Sequence, residues 1–286
     1  MSITPEVVTS PAPPVSRGSR TPVKKKIKYA GIGAGVLLFA YFFPKLTLFY
    51  AVCGGYDVSR NRPFDFAVLK QYFLVNGVVN FLLSPLNILL DILTLPYINK
   101  GVYRLEDFPA PYREEIERLI AAAKREDLVG QLETRAKELN RTMIFFKWYG
   151  EDINTFLKPP VFHERWKYIE TIGVSVFNKR VSTSKHFGPI RPTLRVLYNL
   201  NDIDDHSAYI EVGGTRSYWK ENKLFIFDDT LMHQSFNESD KIRYCLFVDI
   251  LRPSLFPGLL RPFVKLVHAG FKSANFIFYK QWKIIQ

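Results

Sequence analysis

The sequence predicts a mostly β domain, a double-stranded β-helix of the jelly-roll or cupin-like kind, with flanking helices and N-terminal membrane segments. Short strand-like runs fill residues 143–253, two long apolar stretches precede them, and a basic tail follows them. Many short strands separated by turn residues are typical of two packed sheets, whereas alternating strands and long helices would indicate a parallel sheet.

Four parts follow from these shifts in composition. Residues 1–28 are rich in Ser, Thr, Pro and Val and have no apolar periodicity, so we expect a disordered basic tail. Residues 29–100 form the predicted membrane-associated region, residues 101–253 the β domain, and residues 254–286 a basic amphipathic tail.

The first apolar stretch, Tyr29 to Tyr56, contains a single charged residue, Lys45. It is long enough to cross about 30 Å of hydrocarbon, so we predict a membrane span. The second stretch, Tyr72 to Tyr97, contains Pro85 and several polar residues. It could cross, enter and return, lie in the interface, or form a buried helix of the β domain.

The orientation in the membrane follows from the distribution of basic residues. Six Lys and Arg residues precede the first span, which favours a cytoplasmic N-terminus. Two crossings would return the β domain to the cytoplasmic side, which is the localisation that we expect for an integral membrane protein of this kind. A single crossing would place the domain on the opposite side.

The chain is strongly basic, with 39 Lys and Arg against 27 Asp and Glu and a net charge of +12. Such an excess predicts an anionic partner. No nucleic-acid-binding motif is visible and the basic residues lie beside apolar runs, so we expect a membrane surface and no nucleic acid. The tail from Leu251 to Gln286 has no acidic residue and fits a lipid surface, the alternative being a helix packed across the β domain.

The elements of the β domain follow in order. Apolar residues at Ile116, Leu119, Ile120 and Ala123 share one face, which predicts a helical region from Arg104 to Leu139. The strand-like runs come next: TMIFFKWYG, KYIETIGVSVFN, LRVLYNL, AYIEVGG, KLFIFD and RYCLFVDIL. Cys53 and Cys245 lie in different contexts, so we predict no disulfide.

Two segments of the β domain each place an arginine on a strand after a histidine. Arg195 follows His186 by nine positions, and Arg243 follows His233 by ten. Neutral imidazoles suit a non-haem Fe(II) centre that keeps open positions for O2 and a chelating cosubstrate. Arginine binds carboxylates bidentately, so one arginine for each end of 2-oxoglutarate completes the predicted site.

The motifs around these residues match a known pattern. Between Phe145 and Pro253 the chain carries, in order, HFGP, LR, Trp219, FIFDDTLMH, Asn237, Arg243 and VDILRP. This order resembles the aspartyl/asparaginyl β-hydroxylase family of Fe(II)/2-oxoglutarate dioxygenases. Upstream, FFKWYG and LPYINKGVYRLEDFPAPYREEIERL look like the bacterial lipid A 2-hydroxylase branch, which is also membrane-attached.

The resemblance implies a role for each matched position. His186 and His233 would be the catalytic iron ligands. Arg243 would pair with the far carboxylate of 2-oxoglutarate, helped by Ser175, and Arg195 would lie near the metal-proximal carboxylate.

The resemblance also implies two supporting residues, and the chain departs from the family pattern at three places. Asp228 and Asp229 would orient His233 or the entry of its strand. Many 2-oxoglutarate oxygenases have an acidic ligand two positions after the first histidine, where this chain has Gly188. The peptide-hydroxylating branch also has glycine at this position. The segment before His186 lacks the Pro-Gly turn of the family, and Leu197 replaces a common histidine.

The resemblance and the apolar segments together predict a membrane-anchored Fe(II)/2-oxoglutarate-dependent dioxygenase that hydroxylates an unactivated C–H bond. The substrate that we favour is an acyl chain of a membrane lipid. Gly188 and Ser175 favour an alternative, the β-hydroxylation of aspartyl or asparaginyl side chains in a protein substrate. A catalytically degenerate, membrane-bound binding or scaffold protein is the third hypothesis.

Overall fold

The computed structural model describes residues 22–136, 141–189, 191–273 and 283–284. The chain forms two compact units, residues 1–49 and residues 50–286. The helices are α1 (Pro22–Phe42), α2 (Pro44–Ser59), α3 (Phe66–Leu74), α4 (Val78–Leu93), α5 (Ala110–Arg125), α6 (Leu128–Ala136) and α7 (Arg261–Ser273). Short 3-10 turns cover Leu105–Asp107, Pro160–His163 and Pro257–Leu260.

The strands are numbered in chain order. They are β1 (Val102–Tyr103), β2 (Arg141–Trp148), β3 (Glu151–Asp152), β4 (Ile169–Phe177), β5 (Thr193–Asn199), β6 (Ala208–Val212), β7 (Thr215–Tyr218), β8 (Leu224–Phe227), β9 (His233–Asn237), β10 (Arg243–Leu251) and β11 (Lys283–Ile284). All six strand-like runs of the sequence contain a strand. The short strands β7 and β9 were not predicted as separate elements.

The predicted N-terminal span is divided into two helices. Pro44 begins α2 directly after Phe43, because proline has no N–H to continue the ladder of α1. Helix α1 begins at Pro22, inside the predicted disordered tail, of which residues 1–21 lie outside the described residues. Throughout the described ranges, no single helix is both apolar and long enough to cross a membrane. Helices α3 and α4 meet that criterion only as a pair, and the pair is bent by 91°.

Two antiparallel sheets dominate the second unit, which confirms the mostly β prediction. The large sheet has the order β1-β8-β5-β10-β4-β2-β11, with β3 paired to β2. Its β11–β2 pair is parallel. The small sheet has the order β7-β6-β9. One apolar cluster joins the two sheets, because it contains Leu197 and Phe225 of the large sheet and Ile210 and Val212 of the small sheet.

The other face of the large sheet is covered by helices. Ile116 and Leu119 of α5 share an apolar cluster with Val174 and Leu246 of the sheet. The predicted helical region 104–139 is split, because Asp127 adopts a positive φ of 41°. Its carboxylate accepts a hydrogen bond from Gly130 N at 3.3 Å, which starts α6 as a new helix. Residues 137–139 of the prediction lie outside the described residues.

Candidate metal centre

The two predicted ligand histidines face each other across neighbouring strands. His186 forms an antiparallel bridge with His233, the first residue of β9. Their backbones exchange both hydrogen bonds, at 3.0 and 2.9 Å. Side chains of directly opposed residues lie on one face of a sheet, and here the ring centroids are 4.2 Å apart. The strand pairing therefore brings together residues that are 47 positions apart in the sequence.

Both imidazoles are oriented by their Nδ1 atoms. His186 Nδ1 lies 2.7 Å from the carbonyl oxygen of Ser184, and His233 Nδ1 lies 2.8 Å from that of Leu231. A carbonyl oxygen only accepts, so Nδ1 carries the proton and the lone pair is left on Nε2. This is the tautomer that a metal ligand requires.

Burial keeps both rings neutral. It lowers the pKa of His186 below the ordinary value for histidine. Burial, together with the neighbouring His186, lowers the pKa of His233 well below that value. Neutral imidazole is the form that binds a metal ion, so neither ligand has to lose a proton at neutral pH.

Asp229 fills the space in which an acidic ligand after His186 would stand. A Cβ atom at Gly188 would lie 1.7 Å from Asp229 Oδ2, so the carboxylate leaves no room for any side chain there. Asp229 Oδ1 lies 3.4 Å from His233 Nε2. This oxygen is buried and has no hydrogen-bond partner among the described residues. The carboxylate that position 188 lacks is thus supplied in the same space by Asp229.

These donors fit an Fe(II) ion. Two imidazole Nε2 lone pairs and one orphaned carboxylate oxygen are close together, and this is the donor type of a two-histidine, one-carboxylate centre. Within the described residues, however, no group of three or more His, Cys, Asp or Glu side chains is already spaced to hold a metal ion. His186 and His233 thus form a facing pair of donors, and Asp229 lies beside His233.

Arg243 is a buried cation that has no counterion among the described residues. Its side chain is 1% exposed, lies over the rings of Phe177 and Trp219, and donates one hydrogen bond of 2.8 Å to Ser235 Oγ. Its Nε and Nη1 atoms have no partner in the described part of the chain. Ser235 follows His233 by two positions on β9, so both side chains lie on the same inward face. Arg243 is therefore linked through Ser235 to the face of β9 that carries His233.

Burial lowers the pKa of Arg243 to about 10, which still leaves the guanidinium charged at neutral pH. A buried charge without a partner costs several kcal/mol, on the order of the desolvation penalty for one ion. A ligand carboxylate beside this guanidinium would supply the missing counterion.

Arg195, the second predicted cosubstrate arginine, is already paired. Its Nε donates to Asp249 at 2.6 Å and its Nη2 to Asp229 at 3.2 Å, and its guanidinium lies over Phe247. Burial acts to lower the pKa of Arg195, but the two carboxylates outweigh it and hold the pKa above its usual value. In the structure Arg195 thus fixes the carboxylate of Asp229, the residue beside His233.

Ser175, which the resemblance implies as a helper of Arg243, forms its hydrogen bond across the strand pair β4–β10. Its hydroxyl donates to the carbonyl oxygen of Cys245 at 3.3 Å, and Cys245 is its cross-strand partner on β10. Burial raises the pKa of the Cys245 thiol to about 11, so this cysteine is a neutral packing residue. Both cysteines are free and buried, in agreement with the prediction of no disulfide.

Asp228 holds the entry of β9 through hydrogen bonds to Thr230. Its Oδ1 accepts hydrogen bonds from the N–H and the hydroxyl of Thr230, at 3.0 and 2.7 Å. Its Oδ2 lies 2.6 to 3.1 Å from four nitrogen donors, those of Arg60, Asn99, Arg191 and Arg252. Burial acts to raise the pKa of Asp228, but Arg252 and Arg60 hold it well below its usual value.

The sequence pattern did not predict this ionic cluster, which links α2 and α4 to the turn before β9. Arg191 pairs with Asp57 of α2 and, at 3.5 Å, with Asp91 of α4. Arg252 lies 3.7 Å from the same Asp91. The only signal in the sequence was the presence of Asp57 and Asp91 in or beside otherwise apolar stretches, where a charge requires a partner.

Amide side chains of the helices also hold the strand that carries His186. Asn76 donates to the carbonyl oxygen of Phe187 at 2.8 Å, and Asn80 donates to that of Gly188 at 3.1 Å. Gln71 donates to the carbonyl oxygen of Lys185 at 2.9 Å. Residues 50–100, predicted as membrane-associated, thus also build one wall of the site.

A cavity of about 300 Å³ reaches His233. One side is formed by Asn61, Arg62 and Pro63, the loop between α2 and α3, and the opposite side by residues of β6, β9 and the turn after β6. Lys185 and Arg216 lie on its wall, and Arg216 is paired with Glu211.

Comparison with known proteins gives one family match. Residues 113–253 match the family described as "Aspartyl/Asparaginyl beta-hydroxylase". The match covers 141 of the 286 residues, just under half of the chain. The match contains His186, His233, Arg195 and Arg243, and it confirms the resemblance that the motifs predicted.

Two relatives show how far the likeness extends. The "Ornithine lipid ester-linked acyl 2-hydroxylase" of Rhizobium tropici is 34% identical over 92 residues, which is 32% of this chain and 32% of that protein. The "Aspartate beta-hydroxylase domain-containing protein 2" of Rattus norvegicus is 28% identical over 85 residues, 29% of this chain and 24% of that protein. The matched segments thus span about a third and a quarter of these relatives.

Solved structures give only distant matches. The viral collagen prolyl hydroxylase of Paramecium Bursaria Chlorella virus-1 is 10% identical, with a TM-score of 0.33 over 46% of this chain and 89% of that chain. A 2OG-Fe(II) oxygenase family oxidoreductase of Burkholderia pseudomallei is 12% identical, with a TM-score of 0.29 over 39% of this chain and 68% of that chain. Values this low carry no argument about function.

Proposed function

We propose that the protein is a membrane-anchored hydroxylase that uses Fe(II), 2-oxoglutarate and O2 to hydroxylate an unactivated C–H bond. One observation carries this proposal: two imidazoles face each other, and Ser235, on the same face of β9 as His233, holds Arg243, a buried guanidinium without a counterion among the described residues. A metal site without a carboxylate cosubstrate would leave that charge unexplained.

Each residue has a distinct task in this site. His186 and His233 would hold Fe(II) through Nε2, and the guanidinium of Arg243 would bind the far carboxylate of 2-oxoglutarate. When bound, Fe(II) with 2-oxoglutarate and O2 supplies the oxidising power that replaces C–H by C–OH. The protein contributes orientation and exclusion of water. The buried rings of Phe177 and Trp219 keep the arginine pocket apolar, which strengthens its hold on a carboxylate.

Asp229 would supply the negative charge that other two-histidine centres take from an acid after the first histidine. Arg195 holds its Oδ2, which leaves Oδ1 directed at the histidine pair. With this arrangement Arg195 positions a carboxylate of the protein, whereas the sequence pattern assigned it to the metal-proximal carboxylate of 2-oxoglutarate.

The substrate that we propose is an acyl chain of a membrane lipid. The apolar residues 29–56 would attach the chain to the membrane, and large apolar side chains such as Leu37, Tyr41 and Phe42 are exposed in the first unit. The name of the Rhizobium relative states a lipid acyl chain as its substrate. We place the β domain on the cytoplasmic side, as the basic residues before residue 29 favour.

A second candidate is β-hydroxylation of aspartyl or asparaginyl side chains in a protein. Gly188 favours it, because the peptide-hydroxylating branch also has glycine at this position, and so does the presence of Ser175.

Succinate formation tests the proposal. We expect purified protein supplied with Fe(II), O2 and 2-oxoglutarate to release succinate when membrane lipids are added, and His233→Ala to abolish this release. His206→Ala is the matched control, because His206 is exposed and paired with Glu221, and it should retain full turnover. Unchanged turnover in His233→Ala would refute the assignment. Stimulation by an Asp-containing peptide and not by lipid would favour the second candidate, and no metal binding at all would favour a scaffold.

A further inference from the structure

We infer that the second unit has its own membrane-contact face, formed by α3, α4, residues 95–98 and the segment 255–266, and that the unit lies on the lipid surface through it. This inference deepens the proposed function and rests on its membrane attachment. The partner of this surface is a lipid bilayer, and the surface contacts the bilayer without a helix of the second unit crossing it.

Helix α4 has two opposite faces. Its polar residues are buried against the rest of the unit: Asn80 bonds Gly188, Asn87 bonds Asp57, and Asp91 pairs with arginines. On the other face Leu82 and Ile92 are each 58% exposed, and Leu89 is 46% exposed. A helix that packs one face against protein and exposes an apolar opposite face is typical of an interface between protein and lipid.

The geometry of α3 and α4 does not suit a crossing. The 16 residues of α4 cover roughly 24 Å at 1.5 Å per residue, which is less than the hydrocarbon thickness of about 30 Å. Helix α3 leaves at 91° and therefore does not extend the path. Its own side chains Phe66, Phe73 and Leu74 are exposed. The pair thus lies flat on the unit and presents apolar residues along its length.

The C-terminal segment continues this apolar surface. Leu86 and Leu90 of α4 pack in one cluster with Leu260, the last residue of a 3-10 turn, and Val264 of α7. The neighbouring residues Leu255, Phe256, Leu259 and Leu266 are 57–69% exposed. Two segments that are distant in the sequence therefore form one face. The exposed large apolar side chains of the described residues all lie between Val36 and Ile98 or between Leu255 and Leu266.

The charges on this face favour a lipid surface over a second copy of the chain. Lys70 of α3 and Lys265 of α7 are exposed. No acidic residue occurs between Asp65 and Asp91 or after Asp249, and Asp91 is already paired. A face that is apolar with only basic charges complements anionic headgroups, whereas two copies would bring like charges together.

The cavity at His233 opens beside this face. Pro63 lines the cavity, and the residues that follow it include Phe64 and Phe66, which are 51% and 79% exposed. The loop that forms a wall of the site thus runs directly into the apolar surface. An acyl chain leaving the bilayer at α3 would reach the site without crossing open water.

Site-specific quenching tests this inference on the full chain. The native cysteines are buried, so Leu89→Cys and Leu259→Cys can each carry a single bimane label, with Lys220→Cys as an exposed control on the β domain. In vesicles of phosphatidylcholine and phosphatidylglycerol that contain a nitroxide-labelled acyl chain, we expect strong quenching at positions 89 and 259 and little at 220. The readout is local, so attachment through residues 29–56 does not mask it.

Equal quenching at all three positions, or none at 89 and 259, would overturn the inference. Labels that are shielded from aqueous iodide without lipid and unquenched with it would also overturn it, since the face would then be covered by a second copy. Failure here with intact succinate formation would leave the proposed function standing. Quenching at positions 89 and 259 without turnover in any assay would contradict the proposed function but would still support the membrane-contact face.

Discussion

Arg243 carries the most specific information at the scale of single residues. Its position on a strand after His233 was predictable from the sequence, because arginine is the side chain that binds carboxylates in a fixed bidentate geometry. Its lack of a counterion was not predictable. That fact depends on which side chains of β9 and β4 surround it in space.

Replacement of Arg243 by lysine should weaken cosubstrate binding selectively. Arg243→Lys keeps the charge but loses the paired donors, so we expect the KM for 2-oxoglutarate to rise by about 10- to 100-fold, equivalent to roughly 1.4–2.8 kcal/mol. The matched control is Arg216→Lys, an exposed arginine on the cavity wall. Steady-state kinetics at saturating Fe(II) measures both. An unchanged KM in Arg243→Lys would remove this arginine from the cosubstrate site.

Gly188 is required for space and not for backbone conformation. Because a Cβ would lie 1.7 Å from Asp229 Oδ2, Gly188→Ala should destabilise the fold by about 1–3 kcal/mol and reduce Fe(II) retention. The double variant Gly188→Ala/Asp229→Ala should recover stability but not Fe(II) binding. Thermal unfolding and equilibrium dialysis measure the two effects.

Gly270→Ala is the control for that pair, since a Cβ at Gly270 meets nothing within 4 Å. It should leave both properties unchanged or raise stability by up to about 1 kcal/mol. If Gly188→Ala behaved like Gly270→Ala, the account of Asp229 as the carboxylate in that space would fail.

At the scale of elements, the turn before β9 connects the helices to the metal centre. Asp228 holds the turn through Thr230 and gathers arginines from three separate segments. The strands themselves were predictable from alternation and turn residues. The ionic cluster was not, because its members are spread from Asp57 to Arg252 and only the fold brings them together.

Removal of the Asp228 charge should be costly. Asp228→Asn leaves buried guanidinium groups short of a counterion, and we expect a loss of about 3–5 kcal/mol in the free energy of unfolding. Asp240→Asn is the matched control, because Asp240 is exposed and pairs only with the exposed Arg180, where a loss below about 1 kcal/mol is expected. Denaturant titration measures both variants. Equal losses would show that the cluster does not stabilise the turn.

Helix breaks were the other elements that the sequence pattern concealed. Apolar periodicity continues through Asp127, yet this residue turns the chain at a positive φ and separates α5 from α6. Pro44 similarly divides a continuous apolar stretch into α1 and α2. Periodicity indicates which residues are buried but not where a single capping residue starts a new helix.

At the scale of the whole molecule, the sequence was sufficient for the mostly β class, for the family resemblance and for the pairing of His186 with His233 in space. Short alternating strands specify two packed sheets, whereas the metal and the dicarboxylate that we propose for the paired His–Arg segments stay predictions. The division into units was less accessible. Residues 50–100 read as a membrane region because they are apolar, but their polar minority, Asn76, Asn80, Asn87 and Asp91, packs against the β domain.

The central claim is that His186 and His233 bind one Fe(II) ion beside 2-oxoglutarate held by Arg243. An anaerobic absorption titration of the full chain with Fe(II) and 2-oxoglutarate tests it most directly. We predict a charge-transfer band that requires both additions, saturates at one equivalent of Fe(II) and disappears in His233→Ala. A folded wild-type protein that develops no such band, or a His233→Ala variant in which the band is unchanged, would contradict the claim.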